Sequence, residues 1–121
     1  MLRKHGLLML LAGGLMASTF SAIPARAEVA PRRIEITAKR FTFEPGDITL
    51  KKGQPVVIEL KSIDVPHGLR FRDLNVSLKV GAGGTAEVEF TPQKTGDFVG
   101  HCSVFCGSGH GSMVLTIHVV E

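Results

Sequence analysis

Side chains that can bind a metal are concentrated in one short stretch of this sequence, CSVFCGSGHGSM at positions 102–113. It contains both cysteines of the 121-residue protein, together with a histidine and a methionine. Thiolate, imidazole and thioether are soft or borderline donors, and a thioether beside two thiolates favours copper over ions that prefer oxygen. Glycines at 107, 109 and 111 allow tight backbone turns that would direct Cys106, His110 and Met113 at one point. The stretch therefore predicts a metal site.

The N-terminal segment has the layout of a secretory signal peptide. Basic residues precede an apolar run over about residues 6–20, and Ala25-Arg26-Ala27 supplies a small-residue end. We predict that residues 1–27 are removed on export and that residues 28–121 form one domain in the periplasm. An uncleaved anchor is the alternative, but the apolar run is shorter than the ~20 residues needed to span a bilayer. No stable membrane span is therefore expected after cleavage.

The export segment also carries the excess positive charge of the sequence. Arg3, Lys4 and Arg26 are three of the 14 basic residues, and none of the 11 acidic residues precedes Glu28. The predicted domain is therefore electrically neutral. Because it also lacks a pattern of arginines interleaved with aromatic residues, no nucleic-acid partner is expected.

Two cysteines in an exported protein would ordinarily suggest a disulfide, and the spacing of Cys102 and Cys106 allows one. A disulfide would leave His110 and Met113 of the same loop unexplained, so we favour a metal site. Met113 has a second interpretation, as the first core residue of the strand that follows. The two roles of this methionine are compatible.

The remainder of the predicted domain has the period-two alternation of β-strands. A slip in phase at Lys39-Arg40 predicts a bulge or bend, and no segment shows a sustained helical period. Seven or eight short strands predict an antiparallel two-sheet sandwich or barrel with its loops at the two ends. The alternating runs are at 34–38, 48–50, 56–60, 69–71, 74–80, 86–90, 97–102 and 113–119.

A second loop is predicted to bring another ligand to the same end of the sandwich. In the segment DVPHG at positions 64–68, a proline fixes the backbone before the histidine and a glycine permits close approach after it. His67 is therefore the predicted distant ligand, with an ordinary loop histidine as the alternative. Asp64 is predicted to orient that loop by hydrogen bonding, since metal ligands need such support. His101 and His118 are not predicted to be ligands.

These residues resemble the cupredoxins, and within them the binuclear copper domain of cytochrome c oxidase subunit II and of nitrous-oxide reductase. The similarity rests on DVPH at positions 64–67, on CxxxCxxxHxxM at positions 102–113, and on the pattern FxP followed by IxLxxG at positions 43–53. The second cysteine distinguishes this loop from those of mononuclear blue-copper proteins. The resemblance implies an all-β, cupredoxin-like antiparallel Greek-key β-sandwich or barrel.

The resemblance also implies a centre of the CuA type, with two copper ions per chain. Both cysteines would bridge the two ions. The distant histidine and the methionine would complete one copper, while the loop histidine and a backbone carbonyl would complete the other. In this sequence the implied ligands are His67, Cys102, Val104, Cys106, His110 and Met113.

The sequence departs from the oxidase pattern in two ways. Val104 replaces a glutamate that also contacts a magnesium ion in the oxidase, although the backbone carbonyl is retained. The sequence has no tryptophan or tyrosine, so the aromatic residue through which the oxidase domain receives electrons from cytochrome c has no counterpart. We therefore expect a free-standing copper domain rather than a fixed oxidase subunit.

The leading hypothesis for function is an exported electron carrier rather than an enzyme. Two bridging thiolates would spread the charge change on reduction over both ions, and a closed site suits electron transfer better than substrate chemistry. Redox proteins such as a c-type cytochrome or a terminal reductase would be its partners, and it could deliver electrons to an oxidoreductase. One alternative is a periplasmic protein that stores or delivers copper with the same ligands. Another is a structural zinc domain formed by Cys102, Cys106, His110 and His67.

Overall fold

Alternating apolar residues build nine β-strands in the computed structural model, which describes residues 11–23 and 30–121. The strands are β1 (Arg32–Lys39), β2 (Thr42–Glu44), β3 (Asp47–Lys51), β4 (Val56–Ser62), β5 (His67–Phe71), β6 (Val76–Val80), β7 (Thr85–Phe90), β8 (Gly96–His101) and β9 (Val114–Val120). They form a four-stranded sheet with the order β2-β1-β4-β7 and a five-stranded sheet with the order β3-β9-β8-β5-β6. Helical structure in the described residues is limited to two 3-10 turns, Arg72–Leu74 and His110–Ser112. The all-β, two-sheet prediction is confirmed.

The predicted export segment is only partly described. Residues 1–10 and 24–29, which include the predicted cleavage site, lie outside the described residues. Residues 11–23 form neither a helix nor a strand, and their large apolar side chains are exposed. Within the described ranges, no helix has the length and hydropathy that crossing a bilayer requires.

Most strand pairs are antiparallel, as predicted. Five of the seven ladders in the described sheets are antiparallel, whereas β1 pairs in parallel with β4, and β3 pairs in parallel with β9. The parallel pairs arise because the chain crosses from the first sheet to the second at Pro45-Gly46 and returns after β3. The alternation of side chains is the same in both kinds of ladder, so the sequence pattern does not distinguish them.

The inward-facing side chains of both sheets meet in one hydrophobic core. Ile36 of β1, Leu60 of β4 and Ile117 of β9 are fully buried in it. The ring of Phe71 packs directly on Gly100 of β8, where a Cβ atom would lie only 2.5 Å from the ring. Because interiors are close-packed, this contact fixes the strand that leads into residues 102–113, which we call the cysteine loop.

Of two local predictions, one is confirmed and one needs correction. The phase slip at Lys39-Arg40 is a bend, one of the two predicted forms: β1 ends at Lys39 and the chain turns into β2. Leu74 lies in a 3-10 turn instead of the strand predicted at 74–80, because β6 begins only at Val76. A half-buried leucine in such a turn has the same apolar character as a strand residue, which explains the error.

Three connections meet at one end of the sandwich. They are the turn after β1, the β4–β5 connection at residues 63–66, and the β8–β9 connection at residues 102–113. The amide of Ile63 donates a hydrogen bond to the carbonyl of Ala38, and the amide of Cys102 donates one to the carbonyl of Met113. These bonds hold each connection close to the sheet from which it emerges.

His118 lies on the outer side of the five-stranded sheet, between two carboxylates. Its Nδ1 is 2.6 Å from Oδ1 of Asp97, and its Nε2 is 2.9 Å from Oδ1 of Asp47. The hydrogen bond with Asp97, followed by that with Asp47, raises the pKa of His118 above its ordinary value of 6.5. The fold therefore favours the imidazolium, which donates at both nitrogens.

We expect the fold to lose this stabilisation as the pH rises through the pKa of His118. The folded-state pKa is raised, so the contribution is complete below about pH 6.5, the pKa of an unperturbed histidine, and is lost above the raised value. Urea unfolding of metal-free protein over a range of pH tests this, with His118→Gln as the uncharged comparison. The stability difference between the two proteins should shrink as the pH rises. A difference independent of pH would contradict the expectation.

Candidate metal centre

Cys102 and Cys106 lie side by side, with their Sγ atoms 3.8 Å apart. Both side chains are buried, and both thiols are free. A disulfide would bring the sulfur atoms to about 2.05 Å. The structure thus keeps the two sulfurs as separate donors rather than as the disulfide that the spacing also allowed.

Two donor atoms, one from the first residue of β5 and one from the β8–β9 connection, face the sulfur of Cys102. His67 Nδ1 lies 3.9 Å from this Sγ, and the carbonyl oxygen of Val104 lies 3.1 Å from it. His67 is fully buried at the start of β5. One potential ligand atom from each of His67, Cys102 and Cys106 falls within a cluster 4.8 Å across. The distant loop therefore reaches the cysteine loop, as the sequence predicts.

Two donors from the cysteine loop itself face the sulfur of Cys106. His110 Nδ1 lies 3.6 Å from this Sγ, and Met113 Sδ lies 3.8 Å from it. Met113 is fully buried at the end of the loop, whereas His110 is half-buried at the start of a 3-10 turn. The structure therefore brings together all six residues predicted as ligands.

The separations between these atoms suit donors that share a metal ion. At metal–sulfur and metal–nitrogen bond lengths of about 2.3 and 2.0 Å, as at zinc, two donors on a tetrahedral ion lie about 3.5–3.8 Å apart. The sulfur–sulfur and sulfur–nitrogen contacts here are 3.6–3.9 Å. One four-coordinate ion would use only four of the six donors, whereas two ions that share both sulfurs would use all six. The number of donors fits two ions, and their sulfur content fits copper.

Asp64 fixes the orientation of the His67 ring. Its Oδ1 lies 2.7 Å from His67 Nε2, so that Nε2–H donates to the carboxylate and the lone pair of Nδ1 faces Cys102. Burial alone would raise the pKa of Asp64, but hydrogen bonds from the Arg40 amide, from His67 and from the Val65 amide lower it to about 2. The carboxylate therefore remains ionised at neutral pH, and the predicted hydrogen-bonding role of Asp64 is confirmed.

Gly68 allows β5 to approach the cysteine loop closely. A Cβ atom at this position would lie 2.1 Å from Ser103 Oγ and 3.2 Å from the Val104 nitrogen. The Ser103 amide donates a hydrogen bond to the Gly68 carbonyl over 3.4 Å. A larger residue would require the Ser103 hydroxyl to move and Val104 to shift slightly, so glycine suits the position after the predicted ligand.

Arg40 connects both ligand-bearing segments, a role that the sequence analysis missed. Its backbone amide donates to Asp64 Oδ2 over 2.7 Å, and its side-chain Nε donates to the Cys106 carbonyl over 3.1 Å. The phase slip at Lys39-Arg40 locates a break in β1, but nothing in the sequence indicates that the turn there reaches two distant loops. Only the folded structure places this residue at the site.

The ring of Phe41 packs against two glycines of the cysteine loop. A Cβ atom at Gly109 would lie 2.5 Å from its ring, and one at Gly107 would lie 2.9 Å from it. Gly107 also has a φ of +136°, a conformation that favours glycine. The glycines therefore serve close packing on an aromatic ring as well as the tight turns predicted from the sequence.

The environment disfavours charge on the thiol of Cys106 when no cation is bound. Burial, the hydrogen bond and charge of Cys102, and the charge of Asp64 raise the pKa of Cys106 to about 11, while the nearby charge of Arg40 opposes this. A thiolate ligand must lose its proton, so metal binding at this site would release protons. A bound cation would supply the positive charge that the thiolates need.

His110 is the most exposed of the donor side chains. The ring of Phe105, 78% exposed, lies 5.6 Å from the ring of His110, measured between centroids. His101 is exposed at the end of β8, directly before Cys102. The other donor side chains, His67 and the two cysteines among them, are buried.

Comparison with known proteins gives consistent results. The sequence pattern of the family described as "Cupredoxin-like domain" matches residues 7–115. Cytochrome c oxidase subunit 2 of Thermus thermophilus is 32% identical over 104 residues, which cover 83% of this chain and 77% of that protein. Nitrous-oxide reductase of Cupriavidus necator is 32% identical over 84 residues, which cover 66% of this chain but only 13% of that protein.

The solved structures include a close match in fold. The periplasmic domain of subunit II of cytochrome oxidase (CoxB) of Bradyrhizobium japonicum superposes with a TM-score of 0.69 at 22% identity. The match covers 79% of this chain and 88% of that domain. The cupredoxin-like fold predicted from the sequence is thereby confirmed.

We expect Arg40→Gln to loosen the cysteine loop without unfolding the protein. The change removes the hydrogen bond to the Cys106 carbonyl and keeps the backbone bond to Asp64, so it should cost about 0.5–1.5 kcal/mol of stability. Amide hydrogen exchange in metal-free protein should become faster at residues 102–113 and stay unchanged in β1 and β4. Lys94→Gln, the same change of charge on an exposed loop, is the control. Equal exchange rates in both variants would show that Arg40 does not hold the loop.

Proposed function

Because this chain belongs to the family of cupredoxin-like domains, we propose that it is a copper electron-transfer protein whose centre holds two copper ions. The observation that carries this proposal is a set of six donor atoms, in which four donors surround one pair of cysteine sulfurs 3.8 Å apart. The relationship to subunit 2 of cytochrome c oxidase and to nitrous-oxide reductase supports it.

The donors divide into two sets that share the sulfurs of Cys102 and Cys106. His67 and Met113 would complete the set for one ion. His110 and the backbone carbonyl of Val104 would complete the set for the other ion. Each set would then contain one imidazole and one weak donor. The weak donor would tune the reduction potential of the copper, whereas the imidazole and the two sulfurs would provide most of the binding.

Bound copper would supply a reversible one-electron couple. The residues of the chain keep the geometry of the site constant during that change. Met113 and His67 are fully buried, Asp64 fixes the His67 ring, and the Phe41 ring supports the glycines of the loop. Side chains held by packing and hydrogen bonds would reduce the reorganisation that electron transfer requires.

We propose an electron carrier rather than an enzyme. Catalytic metal sites keep a coordination position open for water or substrate, whereas structural sites are closed by protein. The six donors here would fill four positions on each of two ions and leave none open. Met113 argues against the zinc alternative, because its buried Sδ is aimed at Cys106 and thioethers favour copper.

We also propose that residues 1–27 direct export, that residues 28–121 form the mature domain, and that this domain acts in the periplasm. The CoxB domain of similar fold is described as periplasmic, which supports this location. A c-type cytochrome or a terminal reductase would then exchange electrons with it. Copper storage or delivery with the same ligands is the alternative function, and it differs in requiring copper that exchanges readily.

We expect reduced protein to bind two copper ions per chain and to become coloured. Its EPR signal should be split by two copper nuclei rather than one, since sulfurs held in common would let both ions share the unpaired electron. Cys106→Ser should reduce binding to one ion, while Ser108→Ala, an exposed change in the same loop, should have no effect. Metal analysis with EPR measures both outcomes. Saturation of the parent protein at one readily exchanged copper would instead favour the delivery function.

We expect Met113→Leu and His67→Ala to affect the centre differently. The leucine conserves volume, so it should cost less than ~1.5 kcal/mol of stability. Loss of a weak donor should leave two ions bound and raise the reduction potential, each ~59 mV being a tenfold change in the one-electron equilibrium. His67→Ala removes a strong donor, so one copper should be lost on dialysis.

Voltammetry and metal analysis before and after dialysis distinguish these two outcomes, with the parent protein as reference. An unchanged potential in Met113→Leu, together with full copper retention in His67→Ala, would mean that neither residue is a ligand.

A further inference from the structure

Two charged side chains in residues 30–121 form hydrogen bonds with proposed copper ligands, and their charges are opposite. Asp64 Oδ1 lies 2.7 Å from Nε2 of His67, and Nε of Arg40 donates to the carbonyl of Cys106 over 3.1 Å. One proposed ligand therefore has a carboxylate beside it, and another has a guanidinium group. The hydrogen bonds of Asp64 orient the His67 ring, whereas the charge of Arg40 has so far been given no role.

The guanidinium group of Arg40 lies against the backbone of the cysteine loop. A Cβ atom at Gly107 would be 3.8 Å from Nε of Arg40, next to the peptide whose carbonyl accepts the hydrogen bond. The bond is to the backbone, so it does not depend on the side chain of Cys106. Because the backbone amide of Arg40 is held by Asp64, the arginine is also anchored at its other end.

The positive charge of Arg40 is not paired within the described fold. No carboxylate in residues 30–121 lies within 4.0 Å of its guanidinium group, since Asp64 is bound through the backbone amide instead. Arginine remains protonated at every pH at which proteins are studied. The cysteine loop is therefore next to a permanent positive charge.

This charge acts at the buried sulfur of Cys106. Burial is the main cause of the raised pKa of Cys106 and the charge of Asp64 adds to it, whereas the charge of Arg40 acts in the opposite direction. Charges near a buried atom are screened less than charges in bulk water. Without Arg40, the negative charge of Asp64 would be unopposed at the donor cluster.

We propose that Arg40 raises the reduction potential of the copper centre by holding a permanent positive charge against the backbone of Cys106. This rests on the proposed electron-transfer function. On reduction, one electron passes from a partner to the centre, so that the partner is oxidised and no bond is broken. A nearby positive charge stabilises the state with the additional electron. Arg40 is thus a positioning residue that acts through a ligand and is not itself a ligand.

Voltammetry of the copper-loaded protein measures this effect. Arg40→Gln should shift the one-electron equilibrium toward the oxidised state by roughly threefold to tenfold, which lowers the potential by about 28–59 mV. Arg40→Lys keeps the charge and should restore most of the parent potential. Lys94→Gln removes the same charge from an exposed loop before β8, at the opposite end of that strand from the cysteine loop, and should leave the potential unchanged.

Salt separates the charge effect from the looser cysteine loop that is also expected of Arg40→Gln. Arg40 is exposed, so the difference in potential between the parent protein and Arg40→Gln should shrink as the ionic strength rises. A difference independent of salt would attribute the shift to the loosened loop and overturn the proposal. An unchanged potential in Arg40→Gln, or an equal decrease in Arg40→Lys, would also overturn it.

A protein without a reversible copper couple in voltammetry would refute the proposed function instead. The charge can then be tested by NMR of metal-free protein, from the paramagnetic relaxation that an anionic and a cationic nitroxide cause at backbone amides. The ratio of the two effects reports the local electrostatic potential. Arg40→Gln should lower the anionic-to-cationic ratio at Gly107 and Ser108, and Lys94→Gln should not. An unchanged ratio in Arg40→Gln would show that its charge does not act on the loop, which contradicts the proposal.

Discussion

The proposed site depends on two buried cysteine sulfurs, those of Cys102 and Cys106, that are held 3.8 Å apart without a disulfide bond between them. Closer approach would form a disulfide, and wider separation would prevent the sulfurs from sharing an ion. Neither cysteine can set this distance, because both lie in a glycine-rich loop with little intrinsic stiffness. The rest of the fold must therefore supply the rigidity, and it does so through β8 and β9, which pair from Gly96 to His101 and enclose the loop.

The rigidity comes from three connections that contact each other, rather than from the cysteine loop alone. Gly68 contacts Ser103, Arg40 contacts both Asp64 and the Cys106 carbonyl, and Phe41 lies under the loop glycines. Each contact joins segments far apart in sequence. Loss of any one should therefore loosen the donors while the sandwich remains folded, since the core is formed by different residues.

The sequence predicts the fold well, and it singles out residues that the structure brings together, because both depend on local patterns. Alternation of apolar residues identifies the strands, and the donor types in one loop, with the DVPHG segment, identify the six candidate ligands. The parallel pairing of β1 with β4 depends on how the chain crosses between sheets, which alternation does not encode. The contacts of Arg40 and the environment of His118 unite residues 20 or more positions apart, so no local pattern predicts them.

Val104 shows how a donor can be maintained without its side chain. Its carbonyl oxygen lies 3.1 Å from Cys102 Sγ, so the loop conformation provides this donor and the side chain is free to vary. Gly68 suits this conformation, since a Cβ atom there would lie only 3.2 Å from the Val104 nitrogen. The packing around this carbonyl therefore depends on a glycine 36 positions earlier in the chain. A valine at 104 is compatible with the proposed centre because its side chain is not the donor, whereas a larger residue at 68 would press on the backbone that carries the carbonyl.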